Sequence, residues 1–291
     1  MSPSETPASP QSIAERLSSS RPLAFIGGGN MARSLIGGLL RQGIDPAHIR
    51  VAEPVSPLRE ALHRDFGVAV FEQAAQAVEG AGTWIFAVKP QVMRPVCEGL
   101  AAQARQAQAP LVVSIAAGIT SDQLDRWLGG GIRVVRVMPN TPALLGAGAS
   151  GLYARPGVDA DGRALAQALL AAAGTTVWID DEAQMDAVTA LSGSGPAYVF
   201  LLAEAMIDAG IREGLAPEAA RALALQTVLG ASRMLVESGV DAAELRKRVT
   251  SPNGTTQAAL ERFEAGGLRG LVADAIHAAR TRGAELSAAN D

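Results

Sequence analysis

Leu23-Ala24-Phe25-Ile26 is an uninterrupted apolar run that stops at Gly27, Gly28 and Gly29. Past Asn30 to Arg33, apolar residues recur at helical spacing from Ser34 through Leu40. Short apolar run, glycine turn and amphipathic stretch read as buried strand, tight turn and helix. The alternation repeats along the chain. Further strands are expected at 48–53, 68–71, 83–88, 111–115 and 132–137. Helices are expected at 57–66, at 92–106 and at 121–128, the last behind a Thr120 or Ser121 cap. Strands alternating with helices predict a doubly wound, mostly parallel α/β sheet. Extended segments at 148–153 and 175–179, around an alanine-rich helix from about 159 to 172, would extend it.

Beyond Asp180 the strand signal ends. Helices are expected at 198–213, 217–237, 242–249, 255–265 and 267–286, with apolar residues on several faces. A small helical domain rarely buries that much by itself, so a subunit interface is expected. The chain therefore reads as a disordered Ser/Pro/Ala-rich tail at 1–20, a sheet domain at 21–180 and an all-α domain at 181–291.

Composition narrows the function. The chain has 291 residues, 48% of them hydrophobic and 19% charged, with a net charge of −4 and no basic tract. That excludes nucleic acid or an anionic membrane surface as the main partner. No apolar run is expected to reach the roughly 20 residues that span a bilayer. The single cysteine, Cys97, makes no internal disulfide, which fits a reducing, cytoplasmic setting. His48, His63 and His277 lie far apart, and no metal-ligand spacing appears.

Candidate chemistry clusters where an α/β sheet places its ligands, at the C-terminal ends of the strands. Gly27-x-Gly29-x-x-Ala32 has the dinucleotide pattern: Gly27 for the sharp turn, Gly29 for approach of a pyrophosphate, Ala32 for helix packing. Glu53 lies roughly 20 residues beyond the turn, as a ribose-binding acid does, or is a solvated strand-end acid. Ala87-Val88-Lys89-Pro90 leaves a strand, so Lys89 faces a ligand or solvent. Met138-Pro139-Asn140-Thr141-Pro142 is a rigid loop that orients a nicotinamide or merely connects elements. In the helical part, Ser192-Gly193-Ser194-Gly195-Pro196-Ala197-Tyr198 and Ser251-Pro252-Asn253-Gly254-Thr255-Thr256 each precede a helix. Free amides and hydroxyls at the second start suit a carboxylate, or simply cap the helix.

In order, Phe-Ile-Gly-Gly-Gly-Asn-Met, Ala-Val-Lys-Pro, Val-Val-Ser-Ile-Ala-Ala-Gly, Arg-Val-Met-Pro-Asn-Thr-Pro-Ala, Ser-Gly-Ser-Gly-Pro-Ala-Tyr and Thr-Ser-Pro-Asn-Gly-Thr-Thr resemble pyrroline-5-carboxylate reductase, over about 22–286. The resemblance implies an N-terminal Rossmann domain, a helical C-terminal dimerisation domain, and reduction of Δ1-pyrroline-5-carboxylate to L-proline with NADPH or NADH. It implies a homodimer or a larger ring of dimers. By motif, Ile26, Gly27, Gly28, Gly29, Asn30 and Met31 line the pyrophosphate. Ala87, Val88, Lys89 and Pro90 border the nicotinamide, with Asn140 near it. Ser251, Asn253, Gly254, Thr255 and Thr256 hold the substrate carboxylate, and the Thr256 hydroxyl stands near the ring nitrogen as the catalytic group. The family usually has glycine where this chain has Asn253, and asparagine is the non-glycine residue that best tolerates positive φ. Glu53 favours a free ribose 2′-hydroxyl and hence NADH, although Ser56 and Arg59 are able to hold a 2′-phosphate. A β-hydroxyacid dehydrogenase shares the plan but carries a lysine on the first long helix of its second domain, and the helix after Tyr198 has none. A nucleotide sensor without turnover has no need of the second anion site.

Overall fold

The computed structural model describes residues 21–106 and 109–288. The tail expected at 1–20 lies outside the described residues. Eight strands form one sheet in the order β3-β2-β1-β4-β5-β6-β7-β8. They are β1 (Leu23–Ile26), β2 (Ile49–Ala52), β3 (Ala69–Phe71), β4 (Thr83–Phe86), β5 (Leu111–Ser114), β6 (Arg133–Met138), β7 (Gly148–Ala154) and β8 (Gly174–Trp178). β1 to β6 are mutually parallel; β7 pairs antiparallel with β6, and β8 parallel with β7. The order reverses between β2-β1 and β1-β4, so the switch point lies at the C-terminal end of β1, beside the glycine turn.

Both faces of the sheet are covered, which is why its strands read as continuous apolar runs. The connecting helices are α1 (Asn30–Arg41), α2 (Ser56–Phe66), α3 (Ala74–Val78), α4 (Pro90–Ala104), α5 (Ser121–Trp127) and α6 (Ala160–Ala171). Within β1, Leu23 and Phe25 join one core with Leu35, Ile36 and Leu39 of α1. Ala24 and Ile26 join the other with Met93, Cys97 and Leu100 of α4. Residues alternate between the faces because successive strand side chains point in opposite directions. Burial, with the Glu98 charge adding to it, pushes the Cys97 thiol up to about 12. Cys97 is thus a small apolar core residue and not a nucleophile.

α1 begins at Asn30, earlier than the helical spacing from Ser34 implies. Extended Gly29 is its N-cap (φ −70°, ψ −176°), and the Arg33 N–H closes the first turn on the Gly29 carbonyl at 3.0 Å. Past β8, 3₁₀ turns at Glu182–Gln184, a short α7 (Met185–Val188) and a π-helical turn at Thr189–Gly193 carry no periodicity that a sequence reading can detect. They are fastened to the sheet. The Glu182 carboxylate accepts from the Ser121 N–H at 2.7 Å and from the buried Arg136 guanidinium at 3.1 Å.

Of the described residues, 21–193 and 280–288 form one compact unit and 194–279 the second. The second contains α8 (Gly195–Arg212), α9 (Pro217–Glu237), α10 (Ala242–Arg248), α11 (Thr255–Ala265) and the greater part of α12 (Leu268–Ala288). Only alanines are buried along these helices among the described residues: Ala203, Ala220 and Ala224. Large apolar side chains face outward instead, Val236 at 83% and Leu271 at 67% exposure. A surface that apolar marks an association face.

One expectation needs correction. Glu182–Arg212 is a helical run of 31 residues long and apolar enough, by length and composition, to cross a membrane. Helical turns of three kinds follow one another there, with only a bend at Ser194 before α8, so the run is longer than the separate segments read from the sequence.

Candidate active site

The glycine turn is wedged between the ends of β2 and β4. The Gly27 N–H donates to the Ala52 carbonyl at 2.9 Å, and the Ala87 N–H to the Ile26 carbonyl at 2.8 Å. Gly27 has φ +101°, and a Cβ there would lie 2.8 Å from the Ala87 carbonyl oxygen. Only glycine satisfies both the angle and the spacing. A Cβ on Gly28 would come within 2.4 Å of Leu62 on α2. Gly29 differs: among the described residues nothing lies within 4 Å of where its Cβ would stand. Open space therefore lies beside the start of α1, whose first turn contains no acid and which no side chain caps among the described residues. Uncapped amides at the positive end of a helix dipole, behind a missing side chain, fit a dinucleotide pyrophosphate.

Glu53, at the exit of β2, is buried at 7% exposure. Its Oε2 accepts the Gly28 N–H and its Oε1 the Val55 N–H, both at 3.0 Å. It is not the solvated strand-end acid of the alternative reading. Ala87 and Val88 leave β4 half-buried, and exposed Lys89 is the extended N-cap of α4, with Pro90 as its first residue. Asn140, at the exit of β6, is 8% exposed. Its Nδ2 donates to the Ser192 carbonyl at 3.0 Å and its Oδ1 accepts the Ala149 N–H at 2.8 Å. The Asn140 side chain thus ties the loop to β7 and to the π-helical turn. The glycine turn, Glu53, Ala87–Pro90 and Asn140 all lie at the C-terminal edge of the sheet.

That edge also carries residues absent from the sequence-based set. A cavity of about 190 Å³ is lined by Pro90 and Gln91 with Ala117, Gly118, Asp186 and Thr189. Ala117 and Gly118 leave β5 at the same edge as the other strand exits, so the strand-end rule alone points to them. Asp186 and Thr189 belong to turns without a sequence signal.

In the second unit, α11 opens the same way as α1. Gly254 is its extended N-cap, no side chain caps it among the described residues, and its first turn contains no acid. Thr255 and Thr256 are its first two residues. The entry loop is tight: the Gly254 N–H donates to the Ser251 carbonyl at 3.0 Å, and a Cβ on Gly254 would lie 3.0 Å from that oxygen. Asn253 has φ +59°, alone among described non-glycine residues in being left-handed, and its N–H donates to Gln257 Oε1 at 2.8 Å. The backbone here does take the positive φ that asparagine tolerates.

Comparison with known proteins matches two families. The model for pyrroline-5-carboxylate reductase dimerisation covers residues 182–286, and that for NADP oxidoreductase, coenzyme F420-dependent, covers 22–118. Pyrroline-5-carboxylate reductase of Pseudomonas aeruginosa is 54% identical over 265 residues, 91% of this chain and 96% of that protein. The solved structure of the Coxiella burnetii reductase superposes with a TM-score of 0.89 at 41% identity, over 92% of this chain and 98% of that one. The Plasmodium falciparum pyrroline carboxylate reductase, solved with NADP bound, does so with a TM-score of 0.79 at 27% identity, again over 92% and 98%. With a sheet followed by helices that match the dimerisation model, and with relatives that align over nine-tenths of its length, this chain belongs to the pyrroline-5-carboxylate reductase family.

Proposed function

We propose that the chain reduces the C=N bond of Δ1-pyrroline-5-carboxylate to give L-proline, using NADH or NADPH. The observation that carries this reading is the pair of helix starts without side-chain caps, α1 and α11, in a chain of this family. One suits the pyrophosphate of the cofactor and the other the carboxylate of the substrate. Residues 21–180 serve as the nucleotide-binding part, and 181–291 as the substrate-binding and dimerisation part. The test is loss of the reduced-nicotinamide signal when pyrroline-5-carboxylate is added.

The roles are those that the motifs imply. Ile26 to Met31 line the pyrophosphate, with Glu53 at the adenosine ribose. Ala87, Val88, Lys89 and Pro90 border the nicotinamide. Asn140, whose side chain is engaged at both ends, sets the backbone of its loop near that ring. Ser251, Asn253, Gly254, Thr255 and Thr256 form the carboxylate site.

The cofactor supplies the hydride. The Thr256 hydroxyl holds the ring nitrogen by a hydrogen bond as that nitrogen becomes an amine. A threonine is too weak an acid to deliver the proton itself at neutral pH, so the proton arrives with a protonated imine or from solvent. None of the three histidines falls in these motifs. The residues therefore act by positioning two bound molecules, a route to large rate gains.

Asn253 offers a clean check on the loop. Asn253→Gly is expected to keep activity and to leave thermal stability equal or slightly raised, because the left-handed backbone is then free of side-chain cost. Asn253→Val forces a β-branched residue into that region, at about 1–2 kcal/mol. It should raise the KM for pyrroline-5-carboxylate and leave cofactor binding unchanged; thermal melts and steady-state kinetics read both.

The exposed apolar face of the second unit supports a homodimer or a ring of dimers. The second unit also holds a groove of about 760 Å³ lined by Arg246, Thr250, Leu260, Phe263, Leu268 and Val272. We read the apolar α8 as part of this association face and not as a membrane span, and place the protein in the cytoplasm, with the single thiol consistent with a reducing compartment. Light scattering should give a mass at least twice that of the chain, and a stable, active monomer would contradict the assignment.

A further inference from the structure

We infer that Glu53 makes this enzyme prefer NADH to NADPH, a conclusion that rests on the reductase reading. NADH and NADPH differ only at the adenosine 2′ position, a hydroxyl in one and a phosphate in the other. An ionised carboxylate only accepts hydrogen bonds, so it pairs with a hydroxyl and repels a phosphate. Glu53 stands beside the glycine turn at the switch point, and it is not free to swing away. The Gly28 N–H holds Oε2 and the Val55 N–H holds Oε1, both at 3.0 Å. Each oxygen retains a second lone pair for a ribose hydroxyl.

The groups that hold a 2′-phosphate elsewhere are engaged here. Arg59 is the single cation of segment 53–60. Its Nη1 donates to the main-chain carbonyls of Glu53 at 2.8 Å and Pro54 at 3.1 Å, and its Nη2 lies 3.8 Å from Glu72. The guanidinium is therefore a brace for the loop. The Ser56 hydroxyl donates to Glu60 Oε1 at 2.9 Å. A 2′-phosphate would meet Glu53 and neighbouring Glu60 and Glu72 with one already engaged arginine in opposition. The Plasmodium falciparum relative was solved with NADP, so a shared fold does not itself fix this choice.

The experiment is calorimetric titration of the full chain with NADH and, separately, with NADPH, alongside kcat/KM for each in the presence of pyrroline-5-carboxylate. Wild type should bind NADH roughly tenfold or more tightly than NADPH, with the gap narrowing as salt screens the repulsion. Glu53→Gln keeps an acceptor for a backbone amide but removes the charge. It should reduce the preference by about fivefold or more, chiefly through tighter NADPH binding. A glutamate that merely braced the turn would weaken both nucleotides alike on substitution, and that result overturns the inference. So does a wild type that binds NADPH as tightly as NADH, whatever the behaviour of the variant. If proline forms with a preference for NADPH, the inference alone fails; if neither nucleotide binds, the reductase reading fails with it.

Discussion

Valine at position 29 is expected to weaken NADH and NADPH binding about 100-fold, some 2.7 kcal/mol, while the chain still folds. Gly29 has φ −70°, a value open to any residue, and no atom of the described residues lies within 4 Å of its virtual Cβ. The Cβ of a valine there meets no atom of the described residues. Its cost to the fold is the loss of a tolerable N-cap residue, about 1 kcal/mol. Its branched side chain projects into the space before the uncapped amides, where the phosphates approach. Gly27 cannot serve for this test. With φ +101° and the Ala87 carbonyl 2.8 Å from its virtual Cβ, a side chain at that position strains the turn itself. Cofactor titration and a thermal melt of Gly29→Val separate the two effects. Near-normal affinity would remove the pyrophosphate from this turn.

Thr256→Ala is expected to lose about 5- to 100-fold in kcat/KM for pyrroline-5-carboxylate. A hydrogen bond to a charged group contributes roughly 1–3 kcal/mol, and one that strengthens as the nitrogen becomes an amine lowers kcat as well as affinity. Thr256 is the second residue of α11, adjacent to the uncapped start. Thr255→Ala, one residue nearer the cap, should act mainly on KM. Neither substitution should change cofactor affinity. Wild-type efficiency in Thr256→Ala, or a loss confined to cofactor binding, would mean that the substrate is anchored elsewhere.

The strands are legible in the sequence because a sheet covered on both faces requires nearly continuous apolar runs, as in Leu23–Ile26 and Thr83–Phe86. Helix starts are less so. Asn30 to Arg33 carries little apolar periodicity, and only the Gly29 backbone reveals that α1 has begun. Residues 182–193 change helix type twice, which erases any repeat. The candidate site is legible as far as its glycine turn, its strand ends and the left-handed Asn253. Hydrogen bonds that span the chain are not. Glu53 reaches Gly28 across 25 positions, and Asn140 reaches Ser192 across 52. Local pattern carries no record of such pairs, although they determine what Glu53 and Asn140 have left to offer a ligand. The apolar faces of α8 and α9 were visible as an excess of alanine and leucine, and that excess is the imprint of a surface that one chain does not cover.

The most direct measurement mixes the purified chain with pyrroline-5-carboxylate and reduced cofactor and follows nicotinamide oxidation and L-proline together. One L-proline formed for each NADH or NADPH oxidised, with the reaction sharply slowed in Gly29→Val at cofactor concentrations that just saturate the wild type, is the predicted result. Cofactor that binds but is not oxidised on adding pyrroline-5-carboxylate, with no proline formed from either NADH or NADPH, would contradict the assignment as a reductase.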